Sequence, residues 1–145
     1  MNIDKFSDEI STHQVYGNTR NWVPVEVAED GKCIFNALSM ALIDTAELAP
    51  ELRLCTCLEL VDHPEIDKDG LSNDLKLVSP SYRQTYVDCG HPGGYGSAYT
   101  IQAATTVINR RTISSYPPLN GMLDPCENSQ YNFLPKITTF KKKAI

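Results

Sequence analysis

Apolar positions along the chain change their period several times, and each change marks an element. From Trp22 to Val27 apolar and polar residues alternate, with Val23, Val25 and Val27 on one side, the two-residue period of a short strand. From Cys33 the period lengthens. Ile34, Leu38, Ala41 and Leu42 recur at i, i+4, i+7 and i+8, which predicts one face of a buried helix. Pro50 suits a first helical position and opens a second predicted helix through Leu52, Cys55, Leu58 and Val61, which stops ahead of Pro64.

Residues 62–81 are acidic and punctuated by Pro64, Gly70 and Pro80, which predicts a loop with a short helical turn at most. Tyr82 to Val87 reads as a further helix. The glycine-rich run His91-Pro92-Gly93-Gly94-Tyr95-Gly96 leads to Ser97, a good N-cap for a helix from Ala98 to Asn109 with Ile101, Ala104, Thr105 and Ile108 inward. Thr112 to Tyr116 reads as a strand stopped by Pro117-Pro118, and Lys136 to Phe140 as another. Residues 1–21 are polar and weakly periodic, an extension with a turn at Gly17-Asn18. Helices in succession, framed by strands near both ends, predict an α+β or α/β architecture with helices packed on a small sheet.

At 145 residues the chain is sized for one domain, expected over residues 22–140 between the extension and a basic tail at 141–145. Its 41% hydrophobic and 21% charged residues are those of a globular protein. The longest apolar stretch, Ala37 to Ile43, is broken by Ser39 and far shorter than the ~20 residues of a bilayer crossing, so no membrane span is expected. Asp4, Lys5, Asp8 and Glu9 precede no apolar run, which excludes a secretory signal and predicts an intracellular protein, cytoplasmic or nuclear. A net charge of -5 argues against nucleic acid as a partner; Lys141, Lys142 and Lys143 read as a solvated end. A monomer is expected.

Five cysteines is an odd number, and Cys55 and Cys57 are too close to bridge each other, so free thiols are expected rather than a disulfide framework. No metal is expected either. Cys55-x-Cys57 lacks the usual zinc-ligand gap, and Cys89-x-His91 with Cys126 forms no paired motif. Glu65, Asp67, Asp69, Gly70 and Asn73 approach a calcium-loop spacing, but Lys76 occupies the position of the bidentate glutamate.

The candidate chemistry lies at Asp30-Gly31-Lys32-Cys33. A thiol reacts as thiolate, and a helix N-terminus favours that anion through unpaired backbone N–H groups and a macrodipole of about half a charge. The same amides suit an oxyanion during acyl transfer, and Gly31 lets the preceding loop turn tightly. A cysteine at a helix start is also compatible with an inert core thiol.

Asp30-Gly31-Lys32-Cys33-Ile34-Phe35-Asn36-Ala37-Leu38 resembles the nucleophile motif of the ovarian-tumour (OTU) family of cysteine peptidases, where Asp-Gly-x-Cys precedes an aliphatic residue, Phe and a short helix. Leu52-Arg53-Leu54, the glycine-containing loop before Tyr99-Thr100-Ile101-Gln102-Ala103-Ala104, and Thr112-Ile113-Ser114-Ser115-Tyr116 follow in the family's order, so the similarity runs from about Trp22 to Tyr116. Ile113 to Asn120 with Phe133-Leu134-Pro135 also resembles vertnin, an OTU-like fold with a degraded nucleophile motif. The first resemblance implies an OTU-like fold and a cofactor-free isopeptidase acting on ubiquitin or ubiquitin-like conjugates. Cys33 would be its nucleophile, Asp30 part of the catalytic motif, and the amides of the Asp30 to Lys32 loop, Gly31 and Lys32 among them, its oxyanion hole. The second implies a non-catalytic interaction module.

Such a peptidase needs a histidine as base, which the family carries on a strand near the C-terminal end. The chain's histidines are His13, His63 and His91, and none follows Thr112 to Tyr116. His91, followed by glycines and with Asp88 nearby, is the best substitute base within the chain. Either the chain stops short of its histidine strand, which the abrupt end at Lys141 to Ile145 favours, or the domain has lost hydrolysis.

Overall fold

The computed structural model describes residue 27, residues 30–115 and residues 130–136. The chain divides into two compact units, residues 1–27 with 113–131 and residues 28–112 with 132–145. Of the first, the described part is Val27, which is not in a strand, and portions of two short strands. The second holds helices α1 (Cys33–Ile43), α2 (Ala49–Asp62), α3 (Ile66–Asp69), α4 (Asn73–Val78), α5 (Tyr82–Gly90) and α6 (Ala98–Ile108). Strand β1 (Thr112–Ser115) pairs antiparallel with β2 (Gln130–Phe133). The class is α+β.

Helix boundaries follow local chemistry. Pro50 sits in the first turn of α2, where its missing N–H costs nothing. Asp44 and Asn109 close α1 and α6 in the left-handed region at φ 61° and 53°, which short polar side chains tolerate. At the start of α6 the Ser97 amide donates to Thr100 Oγ1 at 2.9 Å, one arm of a capping box. The expected loop over 62–81 instead contains α3 and α4, the latter capped by Ser72, whose Oγ accepts the Leu75 amide at 3.4 Å. Lys136 is not in a strand, and the remainder of the strand expected there, like most of Trp22 to Val27 and all of residues 1–21, lies outside the described residues.

α6 is the centre of the larger unit. Tyr99, Thr100, Gln102, Ala103, Ala104, Thr105 and Thr106 are all buried, and small side chains at 103–106 let neighbouring helices approach closely. α2 packs most extensively on α6, then on α5 and α1. Tyr82 meets Tyr99 edge-to-face at 5.3 Å, and its hydroxyl donates to the carbonyls of Leu60 and His63. After β2 the chain returns to α6: Gln102 Nε2 donates to Leu134 O at 2.8 Å, and the Lys136 amide to Thr106 Oγ1 at 3.2 Å.

The inward faces differ from those expected. In α1 the buried residues are Phe35 and Ser39, while Ala41 is exposed and Ile34, Leu38 and Leu42 lie at the margins. Ser39 is tolerated there because its Oγ donates to Thr45 O and accepts the Leu48 amide at 3.0 Å, tying α1 to the start of α2. In α2 the inward face is Ala49, Leu52, Thr56 and Leu60, and the expected Leu58 and Val61 are 53% and 56% exposed. Steps of three residues slip back about 60° each on a helix, so a series begun inward at Leu52 faces outward by Val61.

Candidate functional site

The turn before α1 is built from its own backbone chemistry. Asp30 Oδ1 accepts the Lys32 amide at 3.0 Å, folding the chain into a side-chain-closed turn. Gly31 lies at φ 77° and is buried; a β-carbon on it would overlap the Gly93 carbonyl. Lys32 is the N-cap, and the first helical bond runs from the Asn36 amide to Lys32 O at 2.8 Å. The amides of Cys33, Ile34 and Phe35 therefore have no acceptor within the helix. Cys33, the first residue of α1, is a free thiol of intermediate exposure.

A second loop, between α5 and α6, lies against this turn. The His91 amide donates to Asp88 O at 3.1 Å and the Gly94 amide to His91 O at 3.0 Å, which curls the segment over the end of α5. Gly94 lacks room for a side chain beside the Asp88 carbonyl, and Gly96 lacks it beside Ile34 Cδ1. The glycines therefore serve close backbone approach, and those contacts bring the loop to Gly31 and Ile34.

Arg53 joins the two loops. From α2, Nη1 donates to Cys89 O at 3.0 Å and His91 O at 2.7 Å, while Nη2 donates to Gly31 O at 2.8 Å and Gly94 O at 3.2 Å. Its guanidinium also lies over the Phe35 ring, 4.8 Å from the centroid. A planar fork with five N–H donors suits this role, which a lysine ammonium could not fill. A depression of about 260 Å³ opens beside the clamp, lined by Lys32, Ala49, Pro50, Arg53, Gly90 and Pro92. Lys32 puts it next in sequence to the thiol.

The structure thus brings the turn at Asp30, Gly31 and Lys32 together with the loop carrying His91, although the exposed His91 is held there through its backbone. His63 sits elsewhere, its Nδ1 2.8 Å from Glu65 Oε1 and its Nε2 3.9 Å from Glu59. Hydrogen bonding to the backbone and then to His63 holds the Glu65 carboxyl below its usual range. Of the residues near a calcium-loop spacing, Asp67 and Asp69 fall on α3 between Glu65 and Gly70, and Asn73 on α4, with Asp67 accepting the Tyr99 hydroxyl at 3.2 Å. His13 lies outside the described residues.

The role of Arg53 was the part of the site hardest to read in the sequence. Its available signal was that Arg53 is the one basic residue in the helix Ala49–Asp62. Comparisons with protein-family models, curated proteins and solved structures give no match. Among the described residues no helix is long and apolar enough to cross a membrane.

Proposed function

We propose that this chain carries an OTU-like fold and acts as a thiol isopeptidase on ubiquitin or ubiquitin-like conjugates, with Cys33 as nucleophile. The observation that carries the reading is the presentation of Cys33: a half-exposed thiol at the first position of α1, launched from a positive-φ glycine turn that Arg53 clamps. Attack of the Cys33 sulfur on a carbonyl carbon would place the developing oxyanion near the amides at the helix N-terminus. The Cys33 amide, with no acceptor within the helix, is one such donor. The Lys32 amide is engaged by Asp30 in this structure, so Asp30 shapes the turn, and its release would add a donor.

The resemblance of Asp30 to Leu38 to the family motif supports the substrate class. The reaction would require a base to accept the thiol proton and return it to the leaving lysine amine. His91 is the histidine whose loop adjoins the thiol's turn.

A second reading, an OTU-like module that binds such a partner without cleaving it, is favoured by one observation. His91 is exposed, and its contact with Arg53 is made through its backbone carbonyl. An electrophilic ubiquitin probe separates the two. The isopeptidase forms a covalent adduct lost in Cys33→Ala and weakened at neutral pH in His91→Ala. A folded protein that binds ubiquitin and forms no adduct supports the module and overturns the enzyme.

A further inference from the structure

Away from Cys33, α2 and α5 bring a second pair of thiols together. Cys57 stands one turn after Arg53 on α2, and Cys89 occupies the last turn of α5. Cys57 Sγ lies 4.0 Å from Tyr86 O, and a β-carbon on Gly90 would meet it at 3.9 Å. Cys89 Sγ lies 3.9 Å from Arg53 O. Each sulfur rests on the turn that carries the other. Cys89 is 2% exposed, whereas Cys57 is half-buried, and both are free.

We propose that Cys57 and Cys89 form a modification site that takes hydrogen peroxide and closes into a disulfide between α2 and α5. The half-buried Cys57 reacts first: its thiolate attacks one peroxide oxygen, the O–O bond breaks, and the departing hydroxide takes up the displaced proton as water, leaving a sulfenic acid. Cys89 sulfur then attacks Cys57 sulfur. The S–S bond forms, the S–O bond breaks, and the hydroxide leaves as a second water with the Cys89 proton. One peroxide and two thiols become one disulfide and two waters.

The division of labour follows from environment. Burial, with a smaller contribution from Cys57, pushes the Cys89 thiol up to about 12 against the opposing pull of Arg53, so it stays protonated and waits as the resolving partner. Cys55 is two residues from Cys57 and points to another side of the helix. A disulfide holds its Cα atoms about 4.4–6.8 Å apart. Cys89 occupies the last turn of α5, which the S–S bond would draw towards α2. Because Cys89 O is one of Arg53's acceptors, closing the bond also fastens the clamp. None of this requires Cys33 to be a nucleophile.

The test treats the whole chain with stoichiometric hydrogen peroxide, blocks remaining thiols and digests with trypsin without reduction. The expected product joins the peptide Leu54 to Lys68 with the peptide Gln84 to Arg110, two hydrogens lighter than their sum and separated by reductant. Cys55→Ser keeps this link; Cys57→Ser and Cys57→Ala both abolish it while retaining a native circular dichroism spectrum. A link that survives in the Cys57 variants, or oxidation confined to Cys33 or Cys55 while Cys57 and Cys89 remain alkylatable, overturns the proposal.

Discussion

Arg53 Nη2 donates to Gly31 O at 2.8 Å across a separation of 22 residues, and with that bond α2 grips the turn that presents Cys33. The other bonds of the same guanidinium reach Cys89, His91 and Gly94, so one side chain aligns two loops that share no ladder of backbone hydrogen bonds. A buried carbonyl without a donor is costly, and Arg53 supplies donors to several at once.

Arg53→Ala removes all of these donors. Because the site is partly open and water can replace some of them, the expected loss is about 2–3 kcal/mol rather than the full sum of charge-assisted bonds. Arg53→Lys keeps the charge but not the fork, and is expected to recover at most half. Urea denaturation midpoints of the two variants measure this; equal stability of Arg53→Lys and the parent would show that charge alone suffices.

Gly31 and Gly93 face each other but answer differently to substitution. Gly31→Ala places a β-carbon against the Gly93 backbone at a positive φ, so a loss of about 2 kcal/mol or more is expected. Gly93→Ala points its β-carbon into space with nothing within 4 Å, so its stability should lie within about 0.5 kcal/mol of the parent. Thermal melting of the pair checks the contrast, and similar melting temperatures would mean that the turn and the loop are not in contact.

Alkaline pH should unfold the protein through groups that burial keeps protonated. Cys89 is pushed from 9.0 up to about 12, and Tyr82 and Tyr99 are raised above 10.0, each chiefly by desolvation. A raised folded-state value means that the unfolded chain gives up its proton first. Stability is full below about pH 9 and falls as pH climbs towards about 12, each such proton steepening the decline by about 1.4 kcal/mol per pH unit. Tyr82→Phe should be less stable at pH 7, by about 1 kcal/mol for the lost hydrogen bonds to Leu60 and His63, yet decline less steeply above pH 10. Denaturant titrations at stepped pH follow the slope; an unchanged slope in the variant would remove Tyr82 from this account.

Much of the helical order was legible because its signals are local. Cys33 at the start of α1, Pro50 in the first turn of α2, Ser97 before α6 and the strand beginning at Thr112 all lie where short-range chemistry puts them. A cap, a proline or a change of period acts within one turn of chain, so the sequence alone suffices to read it. The glycines of residues 93–96 likewise announced a turn, and Asp30-Gly31 a tight one.

The inward faces and the clamp were decided only in three dimensions. Thr56, Thr85, Thr100, Thr105 and Thr106 are buried while Leu54, Leu58 and Val61 are exposed, because the helices fit close where residues are small; Thr106 Oγ1 donates to Gln102 O at 3.1 Å and Thr85 Oγ1 pairs with Ser97 Oγ at 3.1 Å, whereas the Thr56 and Thr105 hydroxyls are buried with no hydrogen-bond partner among the described residues. A hydropathy pattern ranks residues singly and cannot see such pairings. Arg53 belongs to the same class: its four acceptors come from residues 31, 89, 91 and 94, distant along the chain, and become a binding fork only when α2 packs on α5 and α1. Sequence set where helices begin; the meeting of their surfaces set which side chains hold the thiol's turn in place.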